Sequence, residues 1–115
     1  MTTFKAKHNL DKRISEAGRI RSKYPDRIPV IVDRHKDTEI QDIDKHKYLV
    51  PNDLTCAQFM YIIRKRLKLR EDQAVFIFIN NRMPPASELM SSLYKDNVDV
   101  DGFLYVVFSG ESTFG

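Results

Sequence analysis

The chain of 115 residues predicts an α+β fold: a four-stranded mixed sheet, one helix packed across it, and two extra helices in front. Three observations carry that expectation. After residue 27 the apolar runs follow the order strand, strand, helix, strand, short helix, strand. Thr55-x-x-Gln58 is a capping box set directly ahead of an apolar stripe at helical spacing. The composition, 42% hydrophobic, 30% charged and 10% aromatic, belongs to a globular chain able to bury one core without staples.

Two helical signals open the chain. Thr2 or Thr3 caps a short turn over Phe4 to His8, and Asp11 starts a longer helix with Leu10, Ile14, Ala17 and Tyr24 as its apolar stripe. Pro25 ends it, because the residue before proline is driven out of the helical region. Ile28-Pro29-Val30-Ile31-Val32 is the first strand, apolar on both faces. Ile28, Val30 and Val32 suit a core, whereas Pro29 and Ile31 need some other cover. Residues 34–46 are polar and irregular, with isolated Ile40 and Ile43. Lys47-Tyr48-Leu49-Val50, stopped by Pro51, is short and charged in the manner of an edge strand.

The helix behind Thr55 reaches about Leu67 and buries Phe59, Ile62, Ile63 and Leu67. Its basic last turn favours the helix dipole. Ala74 to Ile79 is a buried strand, turned by Asn80-Asn81. Pro84-Pro85 introduces a short helix carrying Leu89, Met90, Leu93 and Tyr94. Asp101-Gly102 turns into the last strand, Phe103 to Phe108, and a small polar tail follows to Gly115. The order is that of a ubiquitin-like β-grasp with helices added in front. Its expected parts are a helical extension over 1–25, the β-grasp body over 26–109 and a flexible tail over 110–115.

Several chemistries are excluded. No stretch nears the ~18 apolar residues of a membrane span, and MTTFKAKHNL lacks an apolar signal region, which points to the cytosol. One cysteine permits no internal disulfide. Cys56 lies just inside a helix start, but no histidine stands at a nucleophile–base spacing, so it reads as a small buried hydrophobe. No catalytic residue, metal site or cofactor is expected. Asn97-x-Asp99-x-Asp101-Gly102 opens like a calcium loop, yet the twelfth position is Phe108, where a bidentate Glu is required. The basic run over 63–70 reads as a solvated helix end rather than a nucleic-acid site.

Two features remain. Residues 1–27 carry eight Lys/Arg against three Asp/Glu, whereas the other 88 carry eleven against thirteen. A +5 arm thus sits on a −2 body. Beside the edge strand, Leu49 joins Pro29 and Ile31 off the core face, near Lys45 and Lys47. Two coverings fit this surface: an acidic extended peptide added as a strand, or the N-terminal helix itself. The tail, about 7 residues long, reaches roughly 20 Å when extended, and its terminal Gly115 suits passage through a narrow catalytic tunnel.

Residues 24–32 (Tyr-Pro-Asp-Arg-Ile-Pro-Val-Ile-Val), 44–51 (Asp-Lys-His-Lys-Tyr-Leu-Val-Pro) and 53–59 (Asp-Leu-Thr-Cys-Ala-Gln-Phe) carry a resemblance over essentially the whole chain. Residues 63–67, 84–85, 101–105 and 109–115 follow in register. The sequence resembles the autophagy ubiquitin-like modifiers of the GABA-receptor-associated-protein and light-chain-3 family. That resemblance implies a modifier rather than an enzyme. It implies that Gly115 is adenylated by an activating enzyme, carried as a thioester on two cysteine enzymes, and amide-linked to phosphatidylethanolamine. It also implies a cytoplasmic protein with a lipid-anchored pool on autophagosomal membranes, and recruitment of cargo receptors through aromatic-x-x-aliphatic motifs.

Mapped by the same resemblance, a first pocket comprises Glu16, Ile20, Pro29, Ile31, Lys47, Leu49 and Phe103 and takes the aromatic anchor. A second comprises Tyr48, Val50, Pro51, Leu54, Phe59 and Ile62 and takes the aliphatic one. Arg27, Lys45, Lys47 and Arg64 meet acidic residues flanking the motif. Leu10, His46, Cys56 and Arg82-Met83 depart from the usual residues. Family precursors carry residues beyond the matching glycine that a deconjugating cysteine protease removes; here Gly115 is the last residue. Two alternatives stay open: an unconjugated adaptor that binds tubulin through the basic arm, and a modifier of protein lysines.

Overall fold

The computed structural model describes residues 3–111. Thr3 caps α1 (Phe4–Lys7), its side chain accepting the Ala6 N–H. Asn9, rather than a residue nearer Asp11, caps α2 (Leu10–Lys23) by accepting the Lys12 N–H at 2.9 Å. The sheet follows with β1 (Arg27–Arg34) and β2 (Lys47–Pro51), then α3 (Cys56–Leu67), β3 (Phe76–Phe78), α4 (Met90–Asn97) and β4 (Leu104–Ser109). Strand order is β2-β1-β4-β3. β1 runs antiparallel to β2 and parallel to β4, and β3 runs antiparallel to β4, so the mixed ubiquitin-like sheet is realised and β2 lies on its edge.

Both caps of α3 obey local rules. Thr55 and Gln58 complete the capping box, and Lys68 closes the helix in the left-handed region at φ 57°. The remaining first-turn amides are satisfied from outside: Cys56 N–H donates to Glu88 O at 2.8 Å and Ala57 N–H to Ala86 O at 2.9 Å. That duty holds residues 84–89 out of helix, in a turn where Glu88 N–H donates to Pro85 O at 3.1 Å, so the helix expected directly behind Pro84-Pro85 begins only at Met90, with Leu89 outside it and 40% exposed. β3 is likewise shorter than the apolar run suggests, because its ladder ends where Asn80 and Asn81, both at positive φ, turn the chain.

Two cores share the sheet. Ile28, Val30 and Val32 of β1 join Tyr48, Val50, Phe59, Ile63, Leu104 and Phe108 beneath α3. On the other face Ile31 and Phe103 pack with Phe4 and Ala17, flanked by Ile20 and Tyr105. The N-terminal helices therefore cover Ile31 and Phe103, which is the second of the two coverings open from spacing, over that part of the face. The stripe of α2 differs from the expected one. Leu10, Ile14 and Tyr24 are exposed and only Ala17 is buried. The face turned to the sheet is Arg13, Glu16, Ala17 and Ile20, since charged residues there find partners on the sheet side. Ala17 permits close approach: a Cβ on Gly102, which sits at φ 95°, would lie 3.0 Å from Ala17 Cβ.

Candidate functional site at the free edge of β2

Among the described residues, the edge strand has one paired side and one free side. Val32 N–H donates to His46 O at 2.7 Å, and the register pairs Val30 with Tyr48 and Ile28 with Val50. Backbone groups of residues 46, 48 and 50 thus face β1, and those of Lys47 and Leu49 point outward. Pro29 is accommodated inside the sheet because the ladder to β4 begins only at Val30.

Register also distributes the side chains. Pro29 lies opposite Leu49 and Ile31 opposite Lys47, so these four share one face, together with Phe103 and Ile20. Glu16 of α2 accepts a hydrogen bond from Lys47 Nζ and closes the rim. Ile31 and Phe103 are fully buried and form a floor. Pro29 is also buried, and Glu16, Ile20 and Leu49 are half-buried. Tyr48, Val50 and Phe59 lie on the opposite, core face, with the Tyr48 and Phe59 rings edge-on at 5.8 Å. Leu54 packs against that cluster from the surface. Ile62 at 37% exposure and the exposed Pro51 complete the solvent side.

The cations are distributed unequally. Lys45 Nζ stands 5.1 Å above the Tyr48 ring, and Arg27 is exposed. Arg64 instead spans the loop after α3, donating to Gln73 O at 2.8 Å and Arg70 O at 3.2 Å. A cavity of about 320 Å³ opens beside Lys45 and Lys47, walled by Phe4, Lys7, His8, Asp33 and His46. Of these wall residues the sequence marks His46 alone near the site, as a departure from the usual residue. The Thr3-capped turn places Phe4 on a helix without showing what it packs on, and Lys7, His8 and Asp33 carry no such signal. His46 Nδ1 lies 2.7 Å from Val32 O, which requires the ring proton on Nδ1, and Nε2 lies 3.5 Å from Asp42. Burial pushes the Asp33 carboxyl up, partly offset by the Phe4 N–H it accepts.

Two groups near the site carry unusual proton chemistry. The Tyr48 hydroxyl is buried with no hydrogen-bond partner among the described residues, and burial pushes its pKa up to about 12. The Cys56 thiol is fully buried and pushed up by burial and by Glu88, a poor nucleophile by both measures. The acidic run that opens like a calcium loop is occupied by ion pairs. Asp99 takes Lys5 at 2.6 Å, and Asp101 takes Arg13 at 2.7 Å. Asp101 also accepts the Tyr105 hydroxyl at 2.5 Å and the Phe103 N–H at 2.8 Å.

A β-grasp body with helices docked on its second face and an unpaired apolar edge belongs to the class of ubiquitin-like modifiers. Residues 12–115 match the family model described as "Autophagy protein Atg8 ubiquitin like", and the chain belongs to that family of autophagy modifiers. It is 60% identical over 112 residues to Autophagy-related protein 8e of Arabidopsis thaliana, covering 97% of this chain and 92% of that protein. It is 56% identical over 114 residues to Autophagy-related protein 8B of Oryza sativa subsp. japonica, covering 99% and 96%. Its fold is similar to the crystal structure of Trypanosoma brucei ATG8, with TM-score 0.91, 39% identity and 100% and 99% of the two chains covered. It is also similar to Plasmodium falciparum Atg8 in complex with a Plasmodium falciparum Atg3 peptide, with TM-score 0.92, 32% identity and 99% and 100% covered. Gly115 lies outside the described residues, and among those described no helix is long and apolar enough to cross a membrane.

Proposed function

We propose that this modifier is conjugated through Gly115 to phosphatidylethanolamine and recruits partners by adding their aromatic-x-x-aliphatic motifs to β2. The free edge of β2, with apolar residues on both faces of one strand, is the observation that carries the binding half. An added strand alternates its side chains, so two anchors three residues apart point to opposite faces about 10 Å from one another. The aromatic anchor then enters between Ile20, Pro29 and Leu49, over the floor of Ile31 and Phe103, inside the rim of Glu16 and Lys47. The aliphatic anchor meets Leu54, Pro51 and Ile62 above Tyr48, Val50 and Phe59. Arg27, Lys45 and Lys47 attract acidic flanking residues; Arg64 joins them only by exchanging its bonds to the loop carbonyls. The same edge is our candidate for a peptide of the conjugating enzyme; the Plasmodium falciparum relative is in complex with an Atg3 peptide.

Conjugation itself is ordinary acyl transfer. The Gly115 carboxylate attacks the α-phosphorus of ATP and expels pyrophosphate. The activating enzyme's thiol then displaces AMP, a second enzyme's thiol takes the acyl group and frees the first, and the lipid amine finally displaces that second thiol to leave an amide. Residues 110–115 serve as the conjugation tail, 26–109 as the β-grasp body and 1–25 as its helical cover. A lipid bearing two acyl chains holds such a body on a membrane where one chain is marginal, which divides the protein between cytoplasm and autophagosomal membrane. Deleting Gly115 should abolish lipidation by the cognate enzymes with peptide affinity unchanged. Lipidation of the shortened chain would sink the conjugation claim.

A further inference from the structure

Three polar residues are buried among the described residues: Thr38, Asp101 and Ser109. Asp101 serves the helices. The other two both serve the root of the tail. Gly110 N–H donates to Thr38 Oγ1 at 2.9 Å, and Glu111 N–H donates to Ser109 Oγ at 3.1 Å. Burying a hydroxyl is costly unless it is hydrogen-bonded, so these contacts give each side chain its reason to be inside.

The Thr38 tether reaches across 72 residues of sequence, and the loop that carries it is held on several sides. His35 N–H donates to Phe108 O at 2.9 Å. Arg34 Nε donates to Ile40 O at 2.5 Å, and its terminal nitrogen donates to Thr38 O. Thr38 Oγ1 also accepts the Ile40 N–H at 3.3 Å. Gly110 presses onto this loop: an added Cβ would lie 3.2 Å from Ile40 Cδ1 and 3.5 Å from Thr38 Oγ1. The chain therefore leaves the sheet through a tight notch, where a larger residue needs the end of the Ile40 side chain to give by a few tenths of an ångström. A cavity of about 270 Å³, walled by Glu39, Gln73, Ala74 and Glu111, opens beside it.

We propose that Thr38 is a positioning residue for conjugation, its buried hydroxyl holding the Gly110 amide so that the tail leaves the body in one direction. Five residues follow Gly110, which limits the reach of the Gly115 carboxylate to about 17 Å from the tether. Without the tether Gly110 is no longer fixed to the body, and each encounter with the activating enzyme must order one more backbone residue. The inference rests on the conjugation reading above.

The test is single-turnover formation of the Gly115 thioester with the cognate activating enzyme and ATP, on the full chain. Thr38→Val keeps the shape and removes the acceptor. Freeing one backbone residue corresponds to a factor of about five or more. The rate at saturating modifier should therefore fall about fivefold, and KM, set by docking of the body, should stay within about twofold. Gly110 amide hydrogen exchange should accelerate in the same variant. Thr38→Ser, which keeps the acceptor and drops the methyl group, should restore both the rate and the protection, which a role confined to packing of that methyl group does not predict. Thr38→Ala serves as a second hydroxyl-free variant should valine disturb the loop. Wild-type rates in both hydroxyl-free variants, or a serine variant as slow as they are, overturn the role of Thr38 alone. A wild-type chain that forms no thioester overturns the conjugation reading, and the role of Thr38 with it.

Discussion

Replacing Asp101 by alanine tests what holds the N-terminal helices on the sheet. The carboxylate side chain is fully buried and gathers groups from three parts of the fold: Arg13 from α2, Tyr105 from β4 and the Phe103 N–H between them. Alanine orphans the buried Phe103 N–H, at about 1–3 kcal/mol, and the half-buried Tyr105 hydroxyl, at about 1 kcal/mol once water reaches it. A total near 3 kcal/mol leaves a domain of ordinary stability folded. With an unfolding entropy of about 2.1 cal/mol/K per residue over 115 residues, the melting midpoint drops by about 12 °C. The loss should be local first, with α2 amides losing hydrogen-exchange protection ahead of those in β1 and β4. Asp101→Asn, which still accepts from Phe103 N–H, should recover part of it. A midpoint lowered by less than about 2 °C, or protection lost evenly across the sheet, would refute the reasoning.

Three further outcomes follow from the same contacts. Tyr48→Phe removes an orphaned buried hydroxyl and should raise stability by about 1 kcal/mol in urea melts; destabilisation of that size would reveal an unseen hydrogen bond. Burial raises the pKa of Tyr48 to about 12 and those of Tyr94 and Tyr105 above the usual phenol value, Asp101 adding to the last. The native state then keeps phenolic protons that the unfolded chain loses near pH 10, so stability should fall as pH rises past about 10. Urea midpoints between pH 8 and pH 11 check this, and a midpoint that climbs across that range contradicts it. Leu49→Arg places a charge on the aromatic side of the edge strand and should weaken an acidic aromatic-x-x-aliphatic peptide at least about tenfold by calorimetry, or about 1.4 kcal/mol, with the fold intact.

How far the sequence could be read depended on the range of the interaction. The capping box at Thr55, the turn at Asn80-Asn81 and the edge character of β2 are local, set by residues within a few positions, and each appears where expected. The face of α2 was not legible. Periodicity selects Leu10 and Ile14, yet helix docking is decided by Arg13 meeting Asp101 across 88 residues and by Ala17 being small enough to let the backbone approach Gly102. The delayed start of α4 has the same origin, since residues 86 and 88 are drawn out to cap α3. Thr38 illustrates the limit most sharply. In a polar loop it looks like any surface threonine, and only the fold brings it to Gly110.

The pockets were legible only through resemblance. Alternation separated Pro29, Ile31 and Leu49 from the core face. It left open whether a helix or a peptide covers them, and the fold answers only for the helix. Ile31 and Phe103 lie beneath the N-terminal helices, while Leu49 and the outward backbone of β2 stay free.

Strand addition at β2 is tested most directly by NMR on the isotope-labelled protein with an acidic aromatic-x-x-aliphatic peptide. The account predicts saturable shifts centred on residues 28–32, 47–50 and 59–63, with slowed exchange of the Lys47 and Leu49 amides and cross-strand contacts from the peptide to those two residues. Saturable binding that leaves the Lys47 and Leu49 amides unprotected, or no binding at all, would contradict it.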